Sequence, residues 1–183
     1  MGSLPRAVQF LEKTWTSSPL MQKIYSSPYH VIVKRETGLA GIRSGDRILS
    51  LGCGAIPFTA IILYQITGCP VSALDIDFAA LNKARELLEK AGLKQIRLIA
   101  GNGCSIDLSG YSVIITALQA EPKGDIIDNF LSSAKPGARL VMRVPRKTFA
   151  NSYDPIPSQY KPEKEVRQPM ITFGKSVLFR KAG

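Results

Sequence analysis

One stretch of the sequence decides the fold: Ile48-Leu49-Ser50-Leu51-Gly52-Cys53-Gly54-Ala55-Ile56-Pro57, followed further along by Leu74-Asp75-Ile76-Asp77. The apolar run Ile48–Leu51 predicts a strand buried on both faces, because parallel strands covered by helices are apolar throughout. The glycines predict a tight turn, and Pro57 suits the first turn of a helix, where its missing N–H costs nothing. A strand, a glycine turn, a helix and a strand-terminal acid, in that order, are typical of a nucleotide-type cofactor site.

Strands and helices alternate along the rest of the chain. Further strands are predicted at 71–76, 96–100, 113–116 and 139–144, and helices at 58–67, 79–91 and around 126–133. The tail predicts a hairpin from 166–171 and 176–180, with its turn at Thr172-Phe173-Gly174. This alternation predicts an α/β fold with three Rossmann-like layers: a mostly parallel sheet, an antiparallel C-terminal hairpin and helices on both faces.

The chain divides into a short N-terminal segment and one larger domain. Residues 1–40 are predicted to be helical and to cover the pocket, since Val8, Leu11 and Trp15 fall at helical spacing. Ser-Pro pairs at 18–19 and 27–28 break this segment into pieces. Residues 41–183 are predicted to form the cofactor-binding domain.

The composition is that of an ordinary globular protein. Apolar residues make up 45% of the chain and charged residues 21%, and no apolar run approaches the roughly 18 residues that a membrane span needs. No secretory signal is visible at the N-terminus, so a cytoplasmic location is expected, without a membrane partner. Three scattered cysteines and a single histidine predict neither a disulfide framework nor a metal site.

The net charge of +10 is concentrated in the C-terminal part of the chain. From Lys135 onward there are 11 basic and 3 acidic residues, a net +8, against 13 and 11 before it. A basic end is compatible with RNA or with an anionic substrate, but a solvated basic face is the simpler interpretation. RNA is the less favoured partner, because the basic residues are not interleaved with stacking aromatics. The oligomeric state stays open, with a homodimer as one candidate.

The predicted cofactor pocket lies at the carboxyl ends of the strands. Gly52 and Gly54 allow the backbone to pass close to a ligand, and Asp75 is positioned to accept both hydroxyls of a ribose. A dinucleotide site usually has a third glycine, and Pro57 stands at that position. The sequence therefore favours a mononucleoside ligand without phosphates.

These residues resemble the class I S-adenosylmethionine-dependent methyltransferases. The resemblance covers residues 41–145 and rests on Leu51-Gly52-Cys53-Gly54, Asp75-Ile76-Asp77, Gly101-Asn102-Gly103 and Lys135-Pro136-Gly137-Ala138-Arg139-Leu140. It implies S-adenosylmethionine as the cofactor, with contacts from Gly52, Cys53, Gly54, Asp75, Ile76, Asn102, Gly103 and Ala117. Two positions depart from the family pattern: Ser50 and Asn102 stand where acids are usual.

A narrower resemblance involves the glycine loop. Gly52-Cys53-Gly54-Ala55-Ile56-Pro57-Phe58-Thr59 is similar to the loop of nicotianamine synthases and related opine-metallophore synthases, which also lack the acid before the glycines. Ala117-Leu118-Gln119-Ala120-Glu121-Pro122-Lys123 and Lys175-Ser176-Val177 resemble them too. The helical substrate-binding region of those synthases is longer than the N-terminal segment here, so the likeness covers the cofactor domain.

Three residues are predicted to act on the acceptor side. Tyr29 and Glu36 precede the first strand in a pattern similar to the metallophore synthases, and Glu121 follows the fourth strand together with Gln119. A buried glutamate can deprotonate an ammonium nucleophile, and a tyrosine ring can pack on a sulfonium by cation–π attraction. The alternative for each is ordinary packing or a solvated charge.

Two further residues have competing interpretations. Cys53 precedes a helix, which can lower the pKa of a thiol, but a small residue in a tight turn is the simpler interpretation. Asp77 is either the N-cap of the following helix or a ligand contact.

The sequence thus predicts an S-adenosylmethionine-dependent enzyme that methylates a small-molecule acceptor. The first alternative is aminocarboxypropyl transfer from the same cofactor, as in nicotianamine synthase. RNA methylation is a second alternative. A non-catalytic cofactor-binding module is a third, motivated by Ser50 and the short substrate region.

Overall fold

The structure, a computed structural model, describes residues 28–183. The helical segment predicted around Val8, Leu11 and Trp15 lies outside the described residues. The helices are α1 (Pro28–Ala40), α2 (Phe58–Thr67), α3 (Phe78–Lys90) and α4 (Lys123–Ser133), with a 3-10 helix at Lys147–Ser152. The strands are β1 (Ile48–Leu51), β2 (Val71–Asp75), β3 (Arg97–Ala100), β4 (Val113–Thr116), β5 (Arg139–Pro145), β6 (Lys164–Arg167) and β7 (Phe173–Arg180).

Within the described residues, seven strands form one sheet in the order β3-β2-β1-β4-β5-β7-β6. The first five strands are parallel, whereas β7 pairs antiparallel with β5 and β6 antiparallel with β7. The predicted α/β fold with a mostly parallel sheet is therefore confirmed. The strand order reverses between β1 and β4, and ligands of such sheets bind at the carboxyl ends of the strands beside that point.

Helices cover the sheet on both faces and bury two apolar clusters. On one face α1, α2 and α3 contribute Val33, Ile61 and Leu81, and on the other α4 contributes Phe130. Ile48 lies in the first cluster and its neighbour Leu49 in the second. This alternation follows from the pleat, which points successive side chains to opposite faces.

Helix α3 shows how local sequence sets the helix ends. Asp77 Oδ1 accepts the backbone N–H groups of Ala79 at 2.8 Å and Ala80 at 3.2 Å, so Asp77 is the N-cap of this helix. Leu81 and Leu88 bury the face that their spacing predicts. The chain leaves the helix at Gly92, whose φ of +69° favours glycine.

The C-terminal hairpin forms, but with different boundaries from those predicted. β6 spans Lys164–Arg167 and β7 begins at Phe173, so two of the three predicted turn residues, Phe173 and Gly174, belong to a strand. Phe173 is only 1% exposed and packs against Ile32 of α1. Burial of this aromatic side chain outweighs the local turn preference of its sequence. Across residues 28–183, no helix is both long enough and apolar enough to cross a membrane.

Candidate active site

The loops after β1, β2 and β4 meet at one edge of the sheet. The N–H groups of Gly52 and Cys53 both donate to Leu74 O, at 2.8 and 3.0 Å, and the Ala117 N–H donates to Leu51 O at 2.8 Å. These bonds continue the sheet pairing past the strand ends. They fix the three loops around a cleft at the predicted position.

Gly52 lies where the β1 loop approaches the β4 loop. Its φ is +78°, and an added Cβ would stand 3.2 Å from the Cβ of Ala117 and 3.5 Å from that of Ala120. Both the conformation and the space therefore favour glycine here. A larger residue would have to push the β4 loop away from the β1 loop.

Asp75 connects the glycine turn to the end of β2. Its Oδ2 accepts the Gly54 N–H at 2.6 Å, and its Oδ1 accepts the Asp77 N–H at 3.0 Å. A carboxylate has about four acceptor positions, so each oxygen keeps the capacity to accept a ligand hydroxyl. The carboxylate is half-buried at the cleft, which suits the pair of hydroxyls on a ribose.

A first chamber of about 230 Å³ opens between the β1, β2 and β4 loops. The structure brings together in its lining the predicted residues Gly52, Asp75, Ile76, Asn102, Gly103 and Glu121. Ile76 is 74% exposed, which offers a flat apolar surface for an aromatic base. A Cβ on Gly103 would lie 2.6 Å from Leu51 Cδ1, so glycine lets the β3 loop close on the end of β1. This shape and lining fit an adenosine group.

A second chamber of about 290 Å³ adjoins the first and shares Gly52 and Gln119 with it. The predicted residues Tyr29, Cys53 and Ala117 line this second chamber. Among the predicted residues, Gly54 lines neither chamber and acts through its bond to Asp75. The two chambers form one cleft of the kind that holds a cofactor beside an acceptor.

Glu36 lies behind the second chamber and not in its lining. Its fully buried carboxylate forms a two-point ion pair with Arg143: Nε and Nη2 donate to Oε1 and Oε2, both at 2.9 Å. The Ser176 hydroxyl also donates to Oε1, at 2.7 Å. Burial alone would lower the pKa of Arg143, but the Glu36 carboxylate raises it above its usual value. Arg143 is therefore held in its charged form.

Aromatic rings surround the guanidinium of Arg143. The ring centroids of Tyr29 and Phe173 lie 5.7 and 5.5 Å from it, distances at which a cation is attracted to a ring face. Tyr29 also stacks on Phe58 of α2, with centroids 5.8 Å apart. These contacts fix the Tyr29 ring at the chamber.

Glu121 faces the first chamber from the loop after β4. Its Oε1 accepts the Asp154 N–H at 2.6 Å and the Lys123 ammonium at 3.3 Å. Lys123 is almost fully buried and also donates to Leu118 O at 3.2 Å. Glu121 is thus anchored through one oxygen while its side chain remains 36% exposed at the cleft.

Arg143 and Phe173 are site residues that the sequence reasoning missed. Both lie in strands, Arg143 in the middle of β5 and Phe173 at the start of β7. The sequence did contain a signal for Arg143, which is a charged residue inside the apolar strand 139–145. An arginine buried in a central strand needs a specific partner. That partner, Glu36, is 107 residues away and is not identifiable from spacing.

We expect Cys53 to be an unreactive thiol, contrary to the alternative that the helix end activates it. Burial, with a contribution from the negative charge of Asp75, raises the pKa of Cys53 to about 12. At pH 8, iodoacetamide should therefore alkylate the more exposed Cys104 at least ~10-fold faster than Cys53, because only the thiolate reacts. Mass spectrometry of the digested protein measures both rates. Faster labelling of Cys53 in the folded protein, with equal labelling in guanidinium, would contradict this expectation.

Comparison with known proteins gives a family and several curated relatives, among them the following two. Residues 1–165 match the model of the protein-L-isoaspartate(D-aspartate) O-methyltransferase (PCMT) family. L-histidine 2-aminobutanoyltransferase of Yersinia pestis is 31% identical over 120 residues, which cover 65% of this chain and 45% of that protein. Methyltransferase phqN of Penicillium fellutanum is 31% identical over 118 residues, covering 60% and 36%. The chain thus spans less than half the length of these relatives.

A solved structure with the same fold is that of a point mutant of the nicotianamine synthase MtNAS in complex with S-adenosylmethionine. It aligns with a TM-score of 0.78 at 22% identity, covering 97% of this chain and 74% of that one. The alignment shows a shared fold.

Proposed function

The chain belongs to the protein-L-isoaspartate(D-aspartate) O-methyltransferase family, and from that membership we propose that it transfers the methyl group of S-adenosylmethionine to a small-molecule acceptor. The observation that carries the proposal is the Asp75 carboxylate, which faces a chamber of adenosine size beside the glycine turn. The adjoining second chamber supplies room for the methionine part of the cofactor and for the acceptor.

The proposed cofactor contacts follow from the lining of the cleft. Asp75 accepts the ribose hydroxyls, Ile76 and Asn102 flank the adenine, and the backbone at Gly52 permits close approach. When bound, S-adenosylmethionine supplies a carbon activated by the adjacent sulfonium. The protein contributes orientation and exclusion of water. We also propose that helix α1 covers part of the cleft, since its Tyr29 lines the second chamber.

The predicted catalytic residues take different roles in this proposal. Tyr29 presents its ring to the second chamber, where it holds the Arg143 guanidinium by cation–π attraction. Glu121 lines the first chamber two residues after Gln119, which borders both chambers, and from there it is the proposed proton acceptor. Glu36 positions Arg143, since both of its carboxylate oxygens are engaged behind the chamber.

A second candidate is the transfer of the cofactor's 2-aminobutanoyl (aminocarboxypropyl) group to an amine. The similarity to an L-histidine 2-aminobutanoyltransferase supports it, as does the placement of Tyr29 and Glu36 on either side of Arg143. Both reactions use the same nucleoside pocket and differ in which carbon next to the sulfonium meets the acceptor.

The nucleoside product distinguishes these reactions. We expect the purified protein, S-adenosylmethionine and an acceptor to yield S-adenosylhomocysteine, whereas 2-aminobutanoyl transfer yields methylthioadenosine. The acceptors to test are L-histidine, an L-isoaspartyl peptide and a small-molecule extract of cells, with chromatography and mass spectrometry as the readout. Asp75→Ala provides the matched control for spontaneous breakdown of the cofactor. If the protein binds the cofactor but the amount of neither nucleoside exceeds that of the control, the proposal is contradicted. That result would favour a non-catalytic binding module.

A further inference from the structure

We propose that Arg143 and Thr59 form a carboxylate-binding subsite in the second chamber, specific for the α-carboxylate of an amino acid. Two sources supply that chemistry: the amino-acid tail of the cofactor and an amino-acid acceptor. This inference rests on the proposed function and assigns a ligand group to a part of its cleft.

The first argument is the lining of the chamber. Of the residues that the structure describes around the second chamber, Arg143 is the only one with a charged side chain. Its guanidinium is only 3% exposed yet contributes to the chamber surface. A buried ion pair is weak evidence for stability, because apolar residues of similar size often serve as well. The donors of Arg143 that Glu36 does not use are therefore available to bind a ligand at this surface.

The second argument is the hydrogen-bonding capacity of the guanidinium. An arginine has five N–H donors, and the bonds to Glu36 and Thr59 use three of them. Glu36 is itself fixed by the Ser176 hydroxyl at 2.7 Å, so the guanidinium plane is held in one orientation. The two remaining donors are both on Nη1 and diverge, so we assign one of them to the carboxylate, together with the hydroxyl hydrogen of the neighbouring Thr59.

The third argument is the local potential. Helix α2 begins beside Arg143 with Pro57 as its N-cap, without a side-chain capping bond and without an acidic residue in its first turn. The partial positive charge of this helix end is not offset locally. Glu36 balances the charge of Arg143, and the helix end adds attraction for an anion.

The rings of Tyr29 and Phe173 favour a planar anion over a hydrated one. They cover the guanidinium at 5.7 and 5.5 Å and keep water from its faces. In such a dry setting a charge-assisted bond is stronger than in water. A carboxylate has two oxygens, one for Nη1 of Arg143 and one for the Thr59 hydroxyl, so the subsite recognises this group by shape as well as charge.

The test compares two nucleosides that differ in the amino-acid tail. Calorimetry measures the Kd of S-adenosylhomocysteine, an uncharged thioether that carries the tail, and of methylthioadenosine, an uncharged thioether that lacks it, for the wild type and for the double variant Glu36→Gln/Arg143→Gln. The double variant removes both charges and leaves no unpaired buried ion. If the tail binds here, the protein's preference for S-adenosylhomocysteine should fall about 10- to 100-fold, the loss of a charge-assisted bond. The Kd of methylthioadenosine should stay unchanged. Its continued binding also shows that the variant is folded.

A matched control lies on the same strand. Arg139 pairs with Asp46 at the opposite end of β5, outside both chambers. The double variant Asp46→Asn/Arg139→Gln should keep the wild-type preference between the two nucleosides. An equal loss of the preference between the two nucleosides in this control variant would show a general effect of removing ion pairs and would overturn the proposal.

The second arm tests the acceptor as the source. With methylthioadenosine present, the wild type should bind L-histidine more tightly than its decarboxylated analogue histamine, and the Glu36→Gln/Arg143→Gln variant should lose that preference. A loss of preference in either experiment supports the subsite, and the experiment that shows it identifies the source of the carboxylate. No change in either arm overturns the subsite while leaving cofactor binding intact, whereas failure of the wild type to bind S-adenosylmethionine removes the proposed function itself.

Discussion

Replacing Glu36 with alanine should lower the free energy of unfolding by about 3–5 kcal/mol, which is the usual effect of leaving a buried ion unpaired. In the folded protein Glu36 is fully buried, and its oxygens accept two bonds from Arg143 and one from Ser176. Without it the guanidinium stays buried with no counter-charge. Because whole domains are stable by only about 5–15 kcal/mol, this single change should be visible as a large fall in the unfolding midpoint.

Urea denaturation followed by circular dichroism measures the effect. The double variant Glu36→Gln/Arg143→Gln should recover most of the loss, because it removes both charges together. A surface pair serves as the comparison: Lys175→Ala breaks the exposed bond to Glu165 and should change stability by less than about 1 kcal/mol. If Glu36→Ala lowered the free energy of unfolding by a similarly small amount, Glu36 and Arg143 would not form the buried ion pair described above.

Replacing Asp75 with alanine should weaken S-adenosylmethionine binding by about 1–3 kcal/mol, a roughly 5- to 150-fold rise in Kd. The substitution removes the acceptors proposed for the ribose hydroxyls. It also removes the partner of the Gly54 and Asp77 N–H groups, so the glycine turn loses its connection to β2. Calorimetric titration of both proteins with S-adenosylmethionine measures the difference.

Asp77 provides the matched control for Asp75. It lies two residues further along the same loop, but its carboxylate caps α3 and does not line either chamber. Asp77→Ala should lower stability by about 0.5–2 kcal/mol through the lost cap and leave the Kd nearly unchanged. Equal losses of affinity in the two variants would show that the loop conformation, and not the Asp75 carboxylate, determines binding.

Local sequence was sufficient to predict the parallel part of the sheet. The bounds of β1 and β4 agree with the prediction to the residue, since each is a short apolar run between polar turns. The helix 58–67 agrees as well, because Pro57 and Gly68 mark its two ends. The hairpin boundaries were wrong at Phe173, where contact with α1 sets the structure and no local signal reports that contact.

In the candidate site, too, one part is predictable from local sequence and the other part is not. The first chamber is built from loops whose residues follow directly after strands, so their convergence is predictable from topology. The second chamber depends on the pairing of Glu36 with Arg143 and on the approach of Phe173, contacts between distant parts of the chain. Sequence spacing identifies Glu36 as a candidate but does not reveal that its carboxylate is already engaged.

A crystal structure with S-adenosylhomocysteine tests the central claim most directly. We expect the nucleoside to occupy the first chamber, with its ribose hydroxyls within hydrogen-bond distance of the Asp75 carboxylate and its adenine against Ile76. Electron density for the ligand elsewhere, or a first chamber filled by the protein's own side chains at saturating ligand, would contradict the assignment of this cleft as the cofactor site.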